Sequence, residues 1–175
     1  AAVLAQKMKR PVQLMWSRAE DLAQDRFRPA ARARMAARLG PGGRVTAWRA
    51  RIAVPSTGAE VLDRLMPGSG GKAGDASAGA VEGAVPPYAI PALAVDHLPV
   101  DYGVRTGMWR GVAHSYTAFF TECFVDELAH QAGVEPLSFR MQMPGGNTRL
   151  AHCLSSVTAL GGWEGGAAGS GQGIA

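Results

Sequence analysis

Cysteine is scarce: two residues in 175, at Cys123 and Cys153, cannot build the disulfide framework of a small secreted scaffold. Neither has a second cysteine or a histidine at zinc-binding spacing, and His97, His114, His130 and His152 are scattered, so no metal cluster is expected. Both cysteines lie in helical patterns and read as two small buried side chains. No apolar run approaches the roughly 20 residues of a membrane span. An initiator Met and a charged-then-apolar signal pattern are also missing. Aromatics make up only 7% and charged residues 18%, whereas 47% of the chain is hydrophobic. This is the composition of a globular domain with a real core. The net charge of +4 comes largely from arginines crowded between Arg26 and Arg51, so the basicity is local. A nucleic-acid face there would need stacking residues, and only Phe27 and Trp48 are available; no nucleic-acid partner is expected.

Periodicity orders the rest. AAVLAQKMK reads as the last turns of a helix, and PVQLMWS, with apolar and polar residues alternating, as a strand. Ser17 with Glu20 matches a capping box. In AARARMAARL arginines alternate with Ala33, Met35, Ala37 and Leu39, and GPGG leads into RVTAWRARIAV. This predicts a hairpin with one guanidinium-rich face, its arginines solvated or paired to carboxylates elsewhere in the parent fold. GPGG lacks the Lys and Ser/Thr of a phosphate loop. Thr57 to Met66 has helical spacing, and residues 68–80 read as a flexible Gly/Ala/Ser-rich loop without function. YAIPALAVDHLPVD suits an edge or irregular strand. Pro136 opens a short helix, and TRLAHCLSSVTALGG forms a last amphipathic helix ending at Gly161. Residues 164–175 read as a loose Gly-rich tail. The class is α+β: a hairpin and irregular strands packed with one long buried helix and two shorter C-terminal helices, residues 1–175 forming one partial domain.

That long helix, about Ser115 to Gln131, is predicted from Phe119, Phe120, Cys123, Phe124 and Leu128, which share one face at helical spacing; Gly133 stops it. Asp126 and Glu127 on it suit salt bridges. Immediately upstream stands Trp109-Arg110-Gly111. First-turn amides have no internal partner and carry the positive end of the helix dipole. With a fixed positive charge and a Gly permitting close backbone approach, they favour an anionic ligand. A plain structural arginine capping loop carbonyls is the competing reading.

RPVQLMWSRAEDLAQDRFRP, VEGAVPPYAIPALAVD, GMWRGVAHSYTAFFTECFVDELAHQAGVEPLSFR and LGGWEGGAAGSGQGIA, in this order, resemble the large molybdopterin-binding subunit of the xanthine dehydrogenase and aldehyde oxidase family. Within that family the chain resembles the isoquinoline 1-oxidoreductase-like and membrane-associated aldehyde dehydrogenase-like branch. The resemblance implies a partial molybdenum cofactor-binding domain, a fragment of a larger subunit. Trp109, Arg110 and Gly111 would contact the molybdenum cofactor and Val112 and Arg28 would face the substrate pocket. Many relatives carry an aromatic residue where this chain has Val112. The implied parent is a bacterial oxidoreductase hydroxylating an aldehyde or N-heterocycle with water-derived oxygen, its electrons passing to an iron–sulfur partner subunit. Cytoplasmic location is expected, or periplasmic if the parent carries an export signal. No catalytic residue is assigned, because the family's general-base Glu and its Gln-containing Gly-rich segment have no counterpart here; the fragment alone should be inactive. The rival expectation is a non-catalytic remnant or subunit-assembly module without cofactor.

Overall fold

The computed structural model describes residues 1–68 and 74–175. Three strands form one sheet, β1 (Arg32–Leu39), β2 (Val45–Val54) and β3 (Ala92–Pro99), in the order β1-β2-β3. The predicted hairpin is there: β1 and β2 pair antiparallel, with a bulge between Arg38 and Leu39 beside the Pro41–Gly43 turn. β3 joins β2 in parallel at the sheet edge. There its flanking Pro91 and terminal Pro99 deprive no inner ladder of a donor. The described residues also form the helices α1 (Ala2–Met8), α2 (Arg18–Gln24), α3 (Thr57–Leu65), α4 (His114–Ala132), α5 (Pro136–Met141) and α6 (Thr148–Leu160), of which α4 packs on the sheet. The α+β class is thus as expected. Ser17 caps α2 by accepting from the Glu20 amide, and Gly133, at φ 67°, terminates α4.

The core lies on one face of the sheet. Trp48 and Val45 pack with Val125, Leu128, Ala129, Phe139 and Met143, and Ala50, Ile52 and Val54 continue it toward Ala80 and Ala84. Trp48 meets Phe124 edge-on at 5.0 Å between ring centroids, an arrangement favoured by the ring quadrupoles.

Several expectations are corrected. Residues 11–17 form no strand: alternation alone cannot hold an extended segment without a neighbour to pair with, and Trp16 remains 66% exposed. The fully buried stripe of α4 is Thr117, Thr121, Val125, Leu128 and Ala129, so of the expected face Leu128 is buried and Phe120 and Phe124 pack half-buried against the core, whereas Phe119 is 64% exposed. The threonines can be buried because their hydroxyls donate to the carbonyls of Ala113 and Thr117 one turn back. That rotation leaves Cys123 exposed, and Cys153, on α6, is exposed as well. The expected loop over 68–80 falls partly on residues 69–73, which lie outside the described residues. Its far end is not loose, since Ala78–Val81 makes a 3-10 turn with Ala80 buried.

Nor is the tail loose. Gln172 accepts from the Glu164 and Gly165 amides and donates to the Gly162 carbonyl, and Ile174 is only 7% exposed. What anchors it is Arg140, whose side chain is fully buried. Its guanidinium donates to Glu122, Asp126 and the carbonyls of Pro136 and Ile174, while the Tyr88 hydroxyl also donates to Glu122. Burial, the Glu122 carboxylate and their hydrogen bond raise the Tyr88 phenol well above its ordinary range, so it stays a donor.

Glu135 caps α5, accepting from the Leu137 and Ser138 amides at 2.9 and 2.7 Å, and it also accepts from the Trp163 indole at 2.7 Å. Burial works against its charge, but these donors outweigh it and hold the carboxyl below its usual value. A carboxylate depressed on folding stabilises above its unfolded pKa, and this contribution disappears as pH falls through the folded value. Glu135→Gln should therefore cost about 1 kcal/mol at neutral pH. The gap in melting temperature between variant and native chain should close below about pH 4, as thermal scans across pH would show.

Candidate functional site

Two strand-like segments far apart in sequence build the site. Phe27 and Thr106 form an isolated parallel bridge: the Phe27 amide donates to Arg105 O and the Gly107 amide to Phe27 O, both at 3.1 Å. This requires the two backbones to run almost in contact. A Cβ on Gly107 would stand 2.8 Å from the Cβ of Arg26. Thr106 is buried, its hydroxyl donating to Glu60 at 2.8 Å and lying 3.3 Å from the hydroxyl of Thr57, which fixes α3 beside the bridge.

The bridge delivers Arg28 to Trp109. The Trp109 indole donates to Arg26 O at 2.9 Å, an Arg28 guanidinium nitrogen donates to Arg110 O at 3.1 Å, and the guanidinium carbon lies 5.7 Å from the Trp109 ring centroid, within cation–π range. The chain then turns through Gly111 (φ 82°) and Val112 (φ 42°), and the Val112 amide donates to Trp109 O. The Ser115 hydroxyl donates to Val112 O at 2.8 Å and so caps no amide of α4, whose N-cap, Ala113, has no side chain able to do so. Among the described residues the amides of Ala113, His114 and Ser115 meet no acceptor. The guanidinium of Arg110 is exposed and engages no carboxylate among them.

A valine with positive φ is a strained choice. Val112→Gly should raise the unfolding free energy by about 1 kcal/mol, because relief of strain exceeds the extra chain entropy of glycine; a urea titration would register a loss instead if the valine side chain carried essential packing.

Beside the turn lies a cavity of about 310 Å³. Arg28, Trp109, Val112 and Met108 line one side, and Tyr116, on the first turn of α4, reaches across it. Neither Arg110 nor Gly111 contributes to the lining. The opposite wall is the stretch from Ser77 to Glu82, whose first part, to Ala80, is the end of the 68–80 segment expected to have no function. Tyr116 donates to Ala80 O at 2.6 Å, burial pushing its phenol up to about 12. Thr117 donates to Glu82 O at 2.8 Å. His97 receives the Ser77 amide on Nδ1 at 2.8 Å, which leaves Nε2 as the donor to Val54 O at 3.0 Å. His97 is thus a satisfied structural residue, and His114 stands 3.8 Å from Glu82 at the surface. Among the described residues no three His, Cys, Asp or Glu side chains gather at metal-holding distance.

Of the sequence-predicted residues, then, Trp109, Val112 and Arg28 share the cavity, and Arg110 and Gly111 sit on its outer shoulder beside the uncapped helix start. Sequence reasoning missed Tyr116 and Glu82. The available signal was a tyrosine one turn into the helix, a position that faces back over the preceding loop.

Residues 1–143 match the family described as the molybdopterin cofactor-binding domain. The chain is 28% identical, over its whole length, to the beta subunit of an isoquinoline 1-oxidoreductase of Brevundimonas diminuta, of which it spans 22%. It is 31% identical over 80% of its length to a membrane-bound aldehyde dehydrogenase (pyrroloquinoline-quinone) of Gluconacetobacter polyoxogenes, spanning 18% of that protein. It is 27% identical over 81% of its length to a nicotinate dehydrogenase subunit of Pseudomonas putida, spanning 12%. The chain therefore corresponds to about a fifth or less of these relatives.

Proposed function

Because the chain belongs to the molybdopterin cofactor-binding domain family, we propose that it is the portion of a molybdenum hydroxylase large subunit in which the Trp109-Arg110-Gly111 turn holds the cofactor's anionic part. The observation that carries this is the set of unpaired amides at Ala113, His114 and Ser115, with the unengaged Arg110 guanidinium beside them. Oriented amides and a guanidinium are the donor chemistry that fits a phosphate- and pterin-bearing group. When bound, the molybdenum cofactor supplies the two-electron oxidation and the delivery of a water-derived oxygen to the substrate carbon. The residues of this chain position and exclude. Gly111 keeps the backbone free of a side chain on the shoulder, Trp109 and Val112 give the neighbouring cavity an apolar wall, and Arg28, held by the Trp109 ring and the Arg110 carbonyl, would offer a fixed charge to an aldehyde or N-heterocycle. Electrons would leave through an iron–sulfur partner subunit, and this portion alone would be inactive because donors on other segments are needed to complete the cofactor's enclosure.

The test is cofactor retention in the full-length parent. Arg110→Ala should lower bound molybdopterin, measured as the oxidised pterin released on denaturation together with molybdenum content, at least tenfold in the purified protein. Unchanged pterin content, or recovery of pyrroloquinoline quinone in place of pterin, would overturn the assignment. A parent that holds no molybdenum at all would favour the non-catalytic module.

A further inference from the structure

The core occupies only one face of the sheet, and the other face is open. Alternation and register put Arg32, Arg34, Ala36 and Arg38 of β1, Ala47, Arg49, Arg51 and Ala53 of β2, and Ala92, Ala94, Asp96 and Leu98 of β3 on it. Five guanidinium groups thus face a single carboxylate. The excess of four positive charges equals the net charge of the whole chain. Arg34 stands directly opposite Arg51, a like-charge cross-strand pair that weakens the sheet on its own account.

Asp96 shows how this face holds a carboxylate. One of its oxygens takes two hydrogen bonds from Arg49, at 3.0 and 2.7 Å, and lies 3.6 Å from Arg51. Arg32, Arg34 and Arg38 have no carboxylate within ion-pair distance among the described residues. Arg32, Arg34 and Arg51 rim a shallow hollow of about 560 Å³ floored by Ala53 and Leu98. A guanidinium fork matches a carboxylate in plane and spacing. Between the arginines the face is paved with alanine, without an exposed aromatic ring to stack on a base or to enter a lipid headgroup layer.

We propose that this sheet face is a docking surface for an acidic protein segment, a run of Asp and Glu side chains on another polypeptide, whose carboxylates settle among Arg32, Arg34 and Arg38 as Asp96 already does between Arg49 and Arg51. The proposal is independent of the cofactor reading.

The probe is a synthetic twenty-residue peptide rich in Asp and Glu, titrated into the full chain and followed by calorimetry or anisotropy. Binding should weaken at least tenfold between 50 and 300 mM NaCl, since exposed charges are screened over a shorter length as salt rises. The triple change R32Q, R34Q and R38Q should weaken it at least tenfold at low salt. Changing Arg10, Arg64 and Arg149 to Gln removes the same charge from exposed positions elsewhere and should alter it less than twofold, both variants keeping the native far-UV spectrum. Equal loss in the two variants would mean that net charge alone attracts the peptide, and the idea would fall. It would also fall if the peptide failed to bind, or if phosphatidylglycerol vesicles or duplex DNA bound at least tenfold tighter at matched charge.

Discussion

Replacing Arg140 by leucine is expected to lower the unfolding free energy by about 3–5 kcal/mol, because removing one partner of a buried ion pair strands the other. The side chain it deletes is fully buried, and Glu122, left behind, is only 14% exposed. Four groups lose the guanidinium as donor at once: the Glu122 carboxylate, which keeps only the Tyr88 hydroxyl, and the carbonyls of Glu122, Pro136 and Ile174. Asp126, at 40% exposure, can turn to water and adds little. A loss of this size is a large part of the stability of a domain, so the urea midpoint should fall steeply or the cooperative transition disappear. Arg149→Leu, at an exposed site on α6, should shift it by less than about 0.5 kcal/mol. Because Arg140 joins α4, α5 and the tail, the variant should also become sensitive to proteolysis after Gly162. If the loss were within about 1 kcal/mol with the tail still protected, the network would be dispensable.

Why this network escaped the sequence while the hairpin did not is a matter of range. The alternation of RARMAAR is a local signal with a period of two, and the division into an arginine face and an apolar face that it implies is the one observed. Ser17 with Glu20, Pro136 and Gly133 are local too, each satisfying or terminating backbone groups within four residues. Arg140 offers no such sign. In LSFRMQM it reads as an ordinary helix residue, and only the arrival of carboxylates 14 and 18 residues earlier on α4 makes burial possible. The face of α4 was misjudged for a related reason. Threonine counts as polar in a periodicity argument, yet one that bonds its own helix backbone buries as a small apolar group, so the stripe centres on Thr117, Thr121 and Val125, Phe120 and Phe124 pack at the edges of the core, and Phe119 is left facing outward.

The candidate site divides along the same line. The turn at Trp109-Arg110-Gly111 and the helix that follows are contiguous and were legible. That Arg28 would belong to the pocket followed only from the family resemblance, and its meeting with Trp109 had no sign in the sequence, since the bridge joining residues 27 and 106 has no periodicity to announce it. The wall from Ser77 to Glu82 was hidden by composition: a Gly, Ala and Ser stretch reads as linker until Tyr116, Thr117 and His97 are seen to hold its backbone.

Gly107→Ala should damage the site more than any other single-methyl change in its wall. The added methyl would lie 2.8 Å from the Cβ of Arg26, an atom too close to the main chain to swing away, so the two backbones must separate. Separation costs about 1–3 kcal/mol by overpacking and loosens the hydrogen bond from the Trp109 indole to Arg26 O, on which the placement of Arg28 depends. Gly58→Ala provides the contrast. It lines the same cavity, yet its new methyl meets only the terminal carbon of Met108 at an ordinary 3.8 Å, and within α3 alanine is favoured over glycine by up to about 1 kcal/mol. Urea titrations should therefore move in opposite directions for the two variants. Arg26→Gly added to Gly107→Ala removes the opposing Cβ and should recover much of the loss. If the double variant were no more stable than Gly107→Ala alone, the close approach of the two backbones would not be what Gly107 is there to permit.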